Sequence, residues 1–130
     1  RDYFSQSLPQ NSVVLDIGAN IGGYSLLLAA ARTDLSVIAV EADPQMAARF
    51  ALHAEFSQLD NRCQLIQAAA TPRTGPVELF LDSVNRGCNS LIEGGEHPER
   101  VNTSIQVEGL TLVDIMDNAK KEKVELLHPK

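Results

Sequence analysis

Residues 13–25, VVLDIGANIGGYS, decide the fold, because a short apolar run with one acid leads into three glycines. The run Val13–Ile17 is continuous and rich in β-branched residues, which is typical of a strand buried on both faces. After the glycines, residues 24–31 are rich in Leu and Ala, which favours a helix packed against a sheet. This stretch predicts a strand, a tight turn and a helix.

The same order repeats along the next forty residues. Residues 36–41 predict a second buried strand, Asp43 is a candidate N-cap, and Pro44 suits the first position of a helix. Residues 63–68 predict a third strand. Connections this short require right-handed crossovers between parallel strands. The sequence therefore predicts an α/β fold with a doubly wound, mostly parallel sheet of the Rossmann-like type.

The pattern changes after residue 70. Apolar residues alternate with polar ones over residues 77–82 and again over 101–107, which predicts an inserted β-hairpin-like segment. Thr111 and Asp114 fit a capping box that opens a helix over 112–119. Residues 124–127 predict one more strand.

Composition limits the class of protein. A chain of 130 residues with 44% hydrophobic residues fits one domain over 1–130. A net charge of −6 without a basic patch makes nucleic acid a poor partner. No apolar run approaches the roughly 20 residues of a membrane span, and the first residues have no signal-peptide layout, so we expect a cytoplasmic protein without a membrane partner. The two cysteines and three histidines have no metal-site spacing, so we expect no metal and two reduced thiols.

The glycine turn predicts a ligand site. At the carboxyl end of a first parallel strand, glycines let ligand atoms approach the backbone at a helix N-terminus. A dinucleotide fingerprint, Gly-x-Gly-x-x-Gly, would place its second glycine at Asn20, so a pyrophosphate fits poorly. The pattern of Asp16, Gly18, Asn20 and Gly22 instead suits a ligand with an amino-acid tail. Glu41 ends the second strand, where a carboxylate accepts ribose hydroxyls and disfavours NADP.

These motifs resemble the FkbM-type methyltransferases, a branch of the class I S-adenosylmethionine-dependent enzymes. The resemblance rests on LDIGANIGGYS, VIAVEADP, the pair Ala68-Ala69, GCNSL at 87–91 and VEGLTLVDIM at 107–116. It covers about residues 13–127. The implied activity is methyl transfer from S-adenosylmethionine, typically to an oxygen of a sugar or another small-molecule acceptor.

The resemblance also implies the residues of the cofactor site. Asp16, Gly18, Asn20 and Gly22 would hold the methionine end, and Glu41 would bind the ribose. The segment 68–70 would lie beside the adenine. The complete set of expected cofactor-binding residues is Asp16, Gly18, Ala19, Asn20, Gly22, Tyr24, Ser25, Glu41, Ala42, Ala68, Ala69, Asn89 and Ser90.

The resemblance is incomplete at the carboxyl end. In this family the strand corresponding to 124–127 continues into Lys-Ile-Asp and Glu-Gly, whereas here it is followed by His128, Pro129 and Lys130. We therefore expect a partial methyltransferase domain, whose open sheet edge would pair with a second copy unless it is covered. No catalytic residue can be assigned, and the candidates for a general base by residue type are Asp82, Glu96 and His97.

Two other classes of function stay open. An NAD-binding oxidoreductase domain would have the same strand and helix order, and the missing three-glycine fingerprint disfavours it. A truncated, non-catalytic Rossmann-like domain would keep the fold for binding or association. The absence of the second half of the sheet favours that alternative.

Overall fold

The computed structural model of the chain describes residues 6–86, 89–92 and 97–127, and the side chains of all of these except 102 and 120–127. The chain divides into two compact units, Arg1–Gln67 and Ala68–Lys130. Each unit has its own three-stranded sheet.

The first unit is a parallel α/β unit. Its sheet has the order β1-β2-β3, and both strand pairs are parallel. A helix follows each of the first two strands, so both connections are crossovers, which confirms the predicted α/β class and the parallel sheet. The elements are β1 (Val13–Ile17), α1 (Gly23–Ala31), β2 (Ser36–Val40), α2 (Pro44–Phe56) and β3 (Cys63–Ile66).

The core of this unit lies between the sheet and its two helices. Val37 and Ala39, two positions apart on β2, point to one face of the sheet. Both belong to a buried cluster with Ala29 of α1 and with Phe50 and Ala54 of α2. Small residues on the strand and on α1 leave room for the Phe50 ring, which is 0% exposed. This packing fixes where the end of each strand meets the start of the next helix.

The start of α2 follows the prediction. Asp43 is the N-cap and its carboxylate accepts a hydrogen bond from the N–H of Gln45 at 2.9 Å. Pro44 occupies the first turn, where a missing N–H costs nothing. Asp43 is 0% exposed, so the cap is a buried part of the structure.

Arg62 closes the carboxyl end of α1, and its loss should lower stability. Its guanidinium donates to the carbonyls of Ala29, Arg32 and Leu35 at 2.9, 3.2 and 2.8 Å. A cation there also interacts favourably with the helix dipole. We expect Arg62→Ala to lower the free energy of unfolding by roughly 1.5–3 kcal/mol, measured by urea denaturation.

Two matched variants separate geometry from charge in that experiment. Arg62→Lys keeps the charge but lacks the planar fork, so it should recover only part of the loss. Arg73→Ala removes an exposed arginine whose side chain makes no hydrogen bond within the described part of the chain, and it should change stability by less than about 0.5 kcal/mol. Equal losses in Arg62→Ala and Arg73→Ala would contradict the assignment.

The second unit contains the predicted hairpin-like segment. Its sheet has the order β4-β6-β5, with β5 and β6 antiparallel and β4 parallel to β6. A 3₁₀ turn precedes β6, and α3 follows it. The elements are β4 (Ala69–Ala70), β5 (Gly75–Asp82), the 3₁₀ turn (Pro98–Arg100), β6 (Val101–Leu110) and α3 (Leu112–Leu127).

Two predicted boundaries in this region are wrong. The third strand ends at Ile66 rather than at residue 68, and Ala69–Ala70 forms a separate short strand paired with Leu110 and Gly109. Residues 124–127 form no strand, because α3 continues through them to Leu127. Residues 120–127 contain no glycine or proline and are mostly Lys, Glu and Leu, all good helix formers, so nothing stops the helix after residue 119.

The predicted cap of α3 is present in altered form. The N–H of Asp114 donates to Oγ1 of Thr111 at 3.2 Å, as a capping box requires. The Asp114 carboxylate, instead of turning back to residue 111, accepts a hydrogen bond from the hydroxyl of Thr74. Among the described residues no helix is both long enough and apolar enough to cross a membrane.

Candidate functional site

The glycine turn after β1 is tight, as its sequence predicts. Gly18, Asn20 and Gly22 have φ of 77°, 61° and 95°, all in the left-handed region. Glycine and asparagine adopt this region most readily. The N–H groups of Gly18 and Ala19 donate to the carbonyl of Val40 at 2.8 and 3.0 Å, so the turn is fastened to the end of β2.

The two loop glycines are needed for different reasons. A Cβ added to Gly18 would meet no atom within 4 Å, so the missing side chain leaves open space beside the backbone. A Cβ added to Gly22 would lie 2.8 Å from Cδ2 of Phe50. Gly22 is therefore required by packing against α2, and Gly18 is the glycine beside which a ligand could approach the main chain.

Glu41 joins the loop to the start of α2. Its Oε1 accepts from the N–H of Asn20 at 2.6 Å, and its Oε2 accepts from the N–H of Asp43 at 2.9 Å. An ionised carboxylate has about four lone-pair positions, so these two bonds leave roughly one on each oxygen. The arrangement holds the carboxylate in a single orientation, with one free acceptor on each oxygen for a pair of neighbouring hydroxyls.

Asp16 lies on the helix side of β1. Its Oδ2 accepts from the hydroxyl of Ser25 at 2.5 Å, and Ser25 is buried in the first turn of α1. This bond sets the distance between the strand and the helix that the glycine turn connects. The side-chain positions of Asp16 and Ser25 are therefore structural, and their contact with a cofactor stays a prediction.

His53 contacts the loop, although no local sequence signal indicates this contact. It lies on the exposed side of α2. Its Nδ1 nevertheless lies 3.2 Å from the carbonyl oxygen of Ile21, in the middle of the glycine turn. With Nδ1 protonated, the ring donates to that carbonyl. The loop is thus held from two sides, by Glu41 and by His53.

The structure brings together the predicted residues of the first unit and describes the others separately. Asp16, Gly18, Ala19, Asn20, Gly22, Ser25 and Glu41 meet at the carboxyl ends of β1 and β2. Ala42 is half-buried between Glu41 and the cap of α2, and Tyr24 is exposed on α1. Ala68, Ala69, Asn89 and Ser90 belong to the second unit.

Asn89 and Ser90 are tied to β5 in the second unit. Oδ1 of Asn89 accepts from the N–H of Asp82 at 2.7 Å, and Ser90 forms an antiparallel bridge with Phe80. Within residues 89–92, Ser90 alone pairs with a strand. The cofactor contacts of Ala68, Ala69, Asn89 and Ser90 stay predictions.

Asp82, one candidate for a general base, is committed to structure. It is 1% exposed, and its carboxylate accepts from the N–H groups of Asn85 and Val84 and from the guanidinium of Arg100. The hydrogen bond from Asn85 and then those from Val84 and Arg100 lower the pKa of Asp82, against the effect of burial. A lowered pKa makes a weak base, so Asp82 stabilises the turn after β5 instead.

This lowered pKa predicts a pH dependence of stability. A carboxyl whose folded pKa lies below its unfolded value of about 4 contributes fully above that value, and the contribution is lost as pH falls further. We expect the urea midpoint of the wild type to fall between about pH 5 and pH 3, and that of Asp82→Asn to fall less. The hydrogen bond from Arg32 lowers the pKa of Asp34, so Asp34 also contributes to the loss of stability at low pH. Asp34→Asn should therefore also reduce the fall of the urea midpoint with pH. If the urea midpoint of Asp82→Asn fell with pH as steeply as that of the wild type, the stabilising role of the Asp82 carboxylate would be contradicted.

No catalytic role is assigned to the other candidate bases or to the cysteines. His97 precedes the 3₁₀ turn, with its Nδ1 4.0 Å from Glu99, and Glu96 and Cys88 lie outside the described residues. Cys63 is a free thiol in β3, as expected for a reduced cysteine, and burial raises its pKa. Within residues 6–86, 89–92 and 97–127 no group of His, Cys, Asp and Glu could hold a metal ion.

Comparisons with known proteins give partial matches. No protein-family model matches the chain, and no curated protein does. A solved fragment named StiE O-MT is 18% identical with a TM-score of 0.46, over 51% of this chain and 24% of its own. NcsB1, an O-methyltransferase from neocarzinostatin biosynthesis solved with S-adenosylmethionine and 2-hydroxy-5-methyl naphthoic acid, is 20% identical with a TM-score of 0.45, over 53% and 22%.

A third match is a methyltransferase from Geobacter sulfurreducens solved with S-adenosyl-L-homocysteine. It is 18% identical with a TM-score of 0.46, over 53% of this chain and 29% of its own. The chain thus spans less than a third of the length of each of these three solved proteins. At these identities the matches assign neither a family nor a ligand, and the resemblance to FkbM-type methyltransferases stays a prediction.

Proposed function

We propose that the chain is the cofactor-binding part of an S-adenosylmethionine-dependent methyltransferase. The observation that carries the proposal is the Glu41 carboxylate, fixed at the end of β2 by two backbone N–H groups with one acceptor position free on each oxygen. A vicinal diol, as in an unsubstituted ribose, presents two hydroxyl hydrogens at a matching spacing. The open space beside Gly18 lies in the same loop.

The ligand's other parts follow from the direction of the loop. The methionine tail would lie along residues 18–20, where Gly18 and Asn20 are already held in the left-handed conformation. Its carboxylate would be close to the N-terminal end of α1, where the helix dipole favours negative charge. As the resemblance implies, we assign Ala68 and Ala69 to the adenine, and Asn89 and Ser90 to the cofactor region or the acceptor; Ala42 completes the proposed set.

The chemistry proposed is the methylation of an oxygen on a small molecule. S-adenosylmethionine supplies a methyl group already activated by its sulfonium, so the protein's task is to hold it and to align the acceptor. In this proposal the described residues bind S-adenosylmethionine and orient it. The general base and the acceptor pocket are left unassigned, because Asp82 is committed to Arg100 and to its own turn.

The alternative of a dinucleotide is disfavoured by the same geometry. Asn20 has a side chain where a pyrophosphate would need glycine, and Glu41 would repel a 2′-phosphate. Nothing in the described residues favours NAD over S-adenosylmethionine.

Calorimetric titration with S-adenosylhomocysteine and, separately, with NAD tests the proposal. We expect S-adenosylhomocysteine to bind with a dissociation constant in the micromolar range, about −7 to −8 kcal/mol, and NAD to give no heat of binding. Binding of NAD alone would identify a dinucleotide domain. Binding of neither compound would overturn the proposed cofactor site in this chain.

A further inference from the structure

The peptide plane between Ile21 and Gly22, in the middle of the glycine turn, is held at both ends. Its N–H, which belongs to Gly22, donates to the carbonyl of Ala19 at 3.1 Å. Its carbonyl, which belongs to Ile21, lies 3.2 Å from Nδ1 of His53 on α2. The hydrogen-bond ladder of α1 begins one residue later, where the N–H of Leu26 donates to the carbonyl of Gly22. The ring of His53 therefore binds a carbonyl that α1 leaves outside its ladder.

This contact determines which nitrogen of the His53 ring carries hydrogen. A carbonyl oxygen only accepts, so the hydrogen bond requires a proton on Nδ1. The neutral ring meets this requirement in one of its two tautomers, and the protonated ring meets it as well. The hydrogen bond therefore persists when the ring titrates, and it selects the Nδ1–H tautomer of the neutral ring.

The main chain of the turn is held within the protein before any ligand arrives. Four of its N–H groups donate to protein acceptors, those of Gly18, Ala19, Asn20 and Gly22. Among the described residues, two side chains from outside the turn bind its main chain, Glu41 and His53. Glu41 keeps acceptor positions for a ligand, whereas the bond of His53 serves the main chain alone. A turn held in this way does not have to be ordered when a ligand binds.

We propose that His53 is a positioning residue of the cofactor site, which holds residues 20–22 in the conformation that binds S-adenosylmethionine. The inference rests on the proposed function. Without the ring, the peptide between Ile21 and Gly22 keeps a single hydrogen bond, and the turn also populates conformations that do not bind the ligand. The apparent affinity falls in proportion to the fraction of competent turns, and the loss of one hydrogen bond makes that decrease about three- to tenfold.

An isosteric pair of variants isolates the donor of His53. In His53→Asn the amide nitrogen stands as many bonds from Cβ as Nδ1 does, so a donor to the carbonyl of Ile21 is retained. In His53→Asp a carboxylate of the same shape faces that carbonyl, and both groups only accept. Asn and Asp have similar helix propensities, so both variants affect α2 to a similar extent. Leu52→Asn and Leu52→Asp are the matched controls, because Leu52 precedes His53 on α2 and is 64% exposed.

Calorimetric titration of the full chain and these variants with S-adenosylhomocysteine tests the positioning role. We expect His53→Asn to bind within about threefold of the wild type, and His53→Asp to bind at least about tenfold more weakly. Both Leu52 variants should bind within about twofold of the wild type. If the wild type binds but the Asn and Asp variants of His53 bind equally, the positioning role is wrong and the cofactor site stands. If the wild type does not bind, the proposed function fails and the positioning role fails with it.

The hydrogen bond itself can be measured without a ligand. At about pH 8.5, above the range in which histidines titrate, ¹⁵N NMR of the imidazole should show the proton of the His53 ring on Nδ1. The N–H of Gly22 shares a peptide plane with the Ile21 carbonyl, so its hydrogen exchange should be as slow in His53→Asn as in the wild type and faster in His53→Asp. A ring proton on Nε2, or equal exchange in the two variants, would overturn the hydrogen bond and with it the proposal.

Discussion

Glu41→Ala is expected to weaken binding of S-adenosylhomocysteine by about 1.5–3 kcal/mol, or roughly ten- to a hundredfold. The substitution removes a charged acceptor for the ribose hydroxyls. It also leaves the N–H of Asn20 without its 2.6 Å partner, so the loop loses one of its hydrogen bonds to the end of β2. Calorimetric titration of the variant and of the wild type measures the difference.

Two further variants separate these contributions. Glu41→Gln keeps an oxygen for Asn20 and loses the charge, so its affinity should lie between those of the wild type and Glu41→Ala. Glu108→Gln removes an exposed carboxylate on β6 and should bind as the wild type does. An unchanged dissociation constant in Glu41→Ala would reject the ribose assignment.

Gly22→Ala is expected to lower the free energy of unfolding by about 3 kcal/mol. Gly22 has a φ of 95°, which costs an L-residue strain, and a Cβ there would lie 2.8 Å from Cδ2 of Phe50. Because the ring is fully buried, it has little room to give way. Urea denaturation of the variant at neutral pH measures the loss.

Gly18→Ala is the matched control for that loss. Gly18 has a φ of 77° with no atom near its absent Cβ, so only the strain remains, and we expect about 1 kcal/mol. In Gly22→Ala with Phe50→Leu, the smaller side chain makes room, so the combined loss should be about 1 kcal/mol less than the sum of the single losses. Equal losses in Gly18→Ala and Gly22→Ala would show that the Phe50 contact is unimportant.

Local sequence signals predicted the part of the fold that local chemistry decides. A continuous β-branched run, a glycine turn and the pair Asp43-Pro44 each have a direct physical reading, and the structure has β1, the left-handed turn and the capped start of α2 at these places. The alternating segment likewise became an antiparallel pair. These signals depend on backbone conformation and capping, which neighbouring residues alone determine.

What could not be predicted depends on contacts between residues far apart in sequence. The hydrogen bond from the N–H of Asn20 to Glu41, the approach of His53 to Ile21 and the packing of Phe50 on Gly22 each need the folded positions of separate elements. Residues 124–127 were predicted as a strand because a short apolar run fits a strand or a helix equally well. The helix that began at residue 112 met no terminating residue and continued through them.

The most direct test of the cofactor site is an NMR titration of the ¹⁵N-labelled chain with S-adenosylhomocysteine. If the ligand lies on the glycine loop with its ribose at Glu41, the largest shifts should be those of the backbone amides of Gly18, Asn20, Glu41 and Asp43. Amides on the outer face of α2, such as that of Leu52, should move little. No shift at the loop under saturating ligand, or the largest shifts elsewhere, would contradict the account.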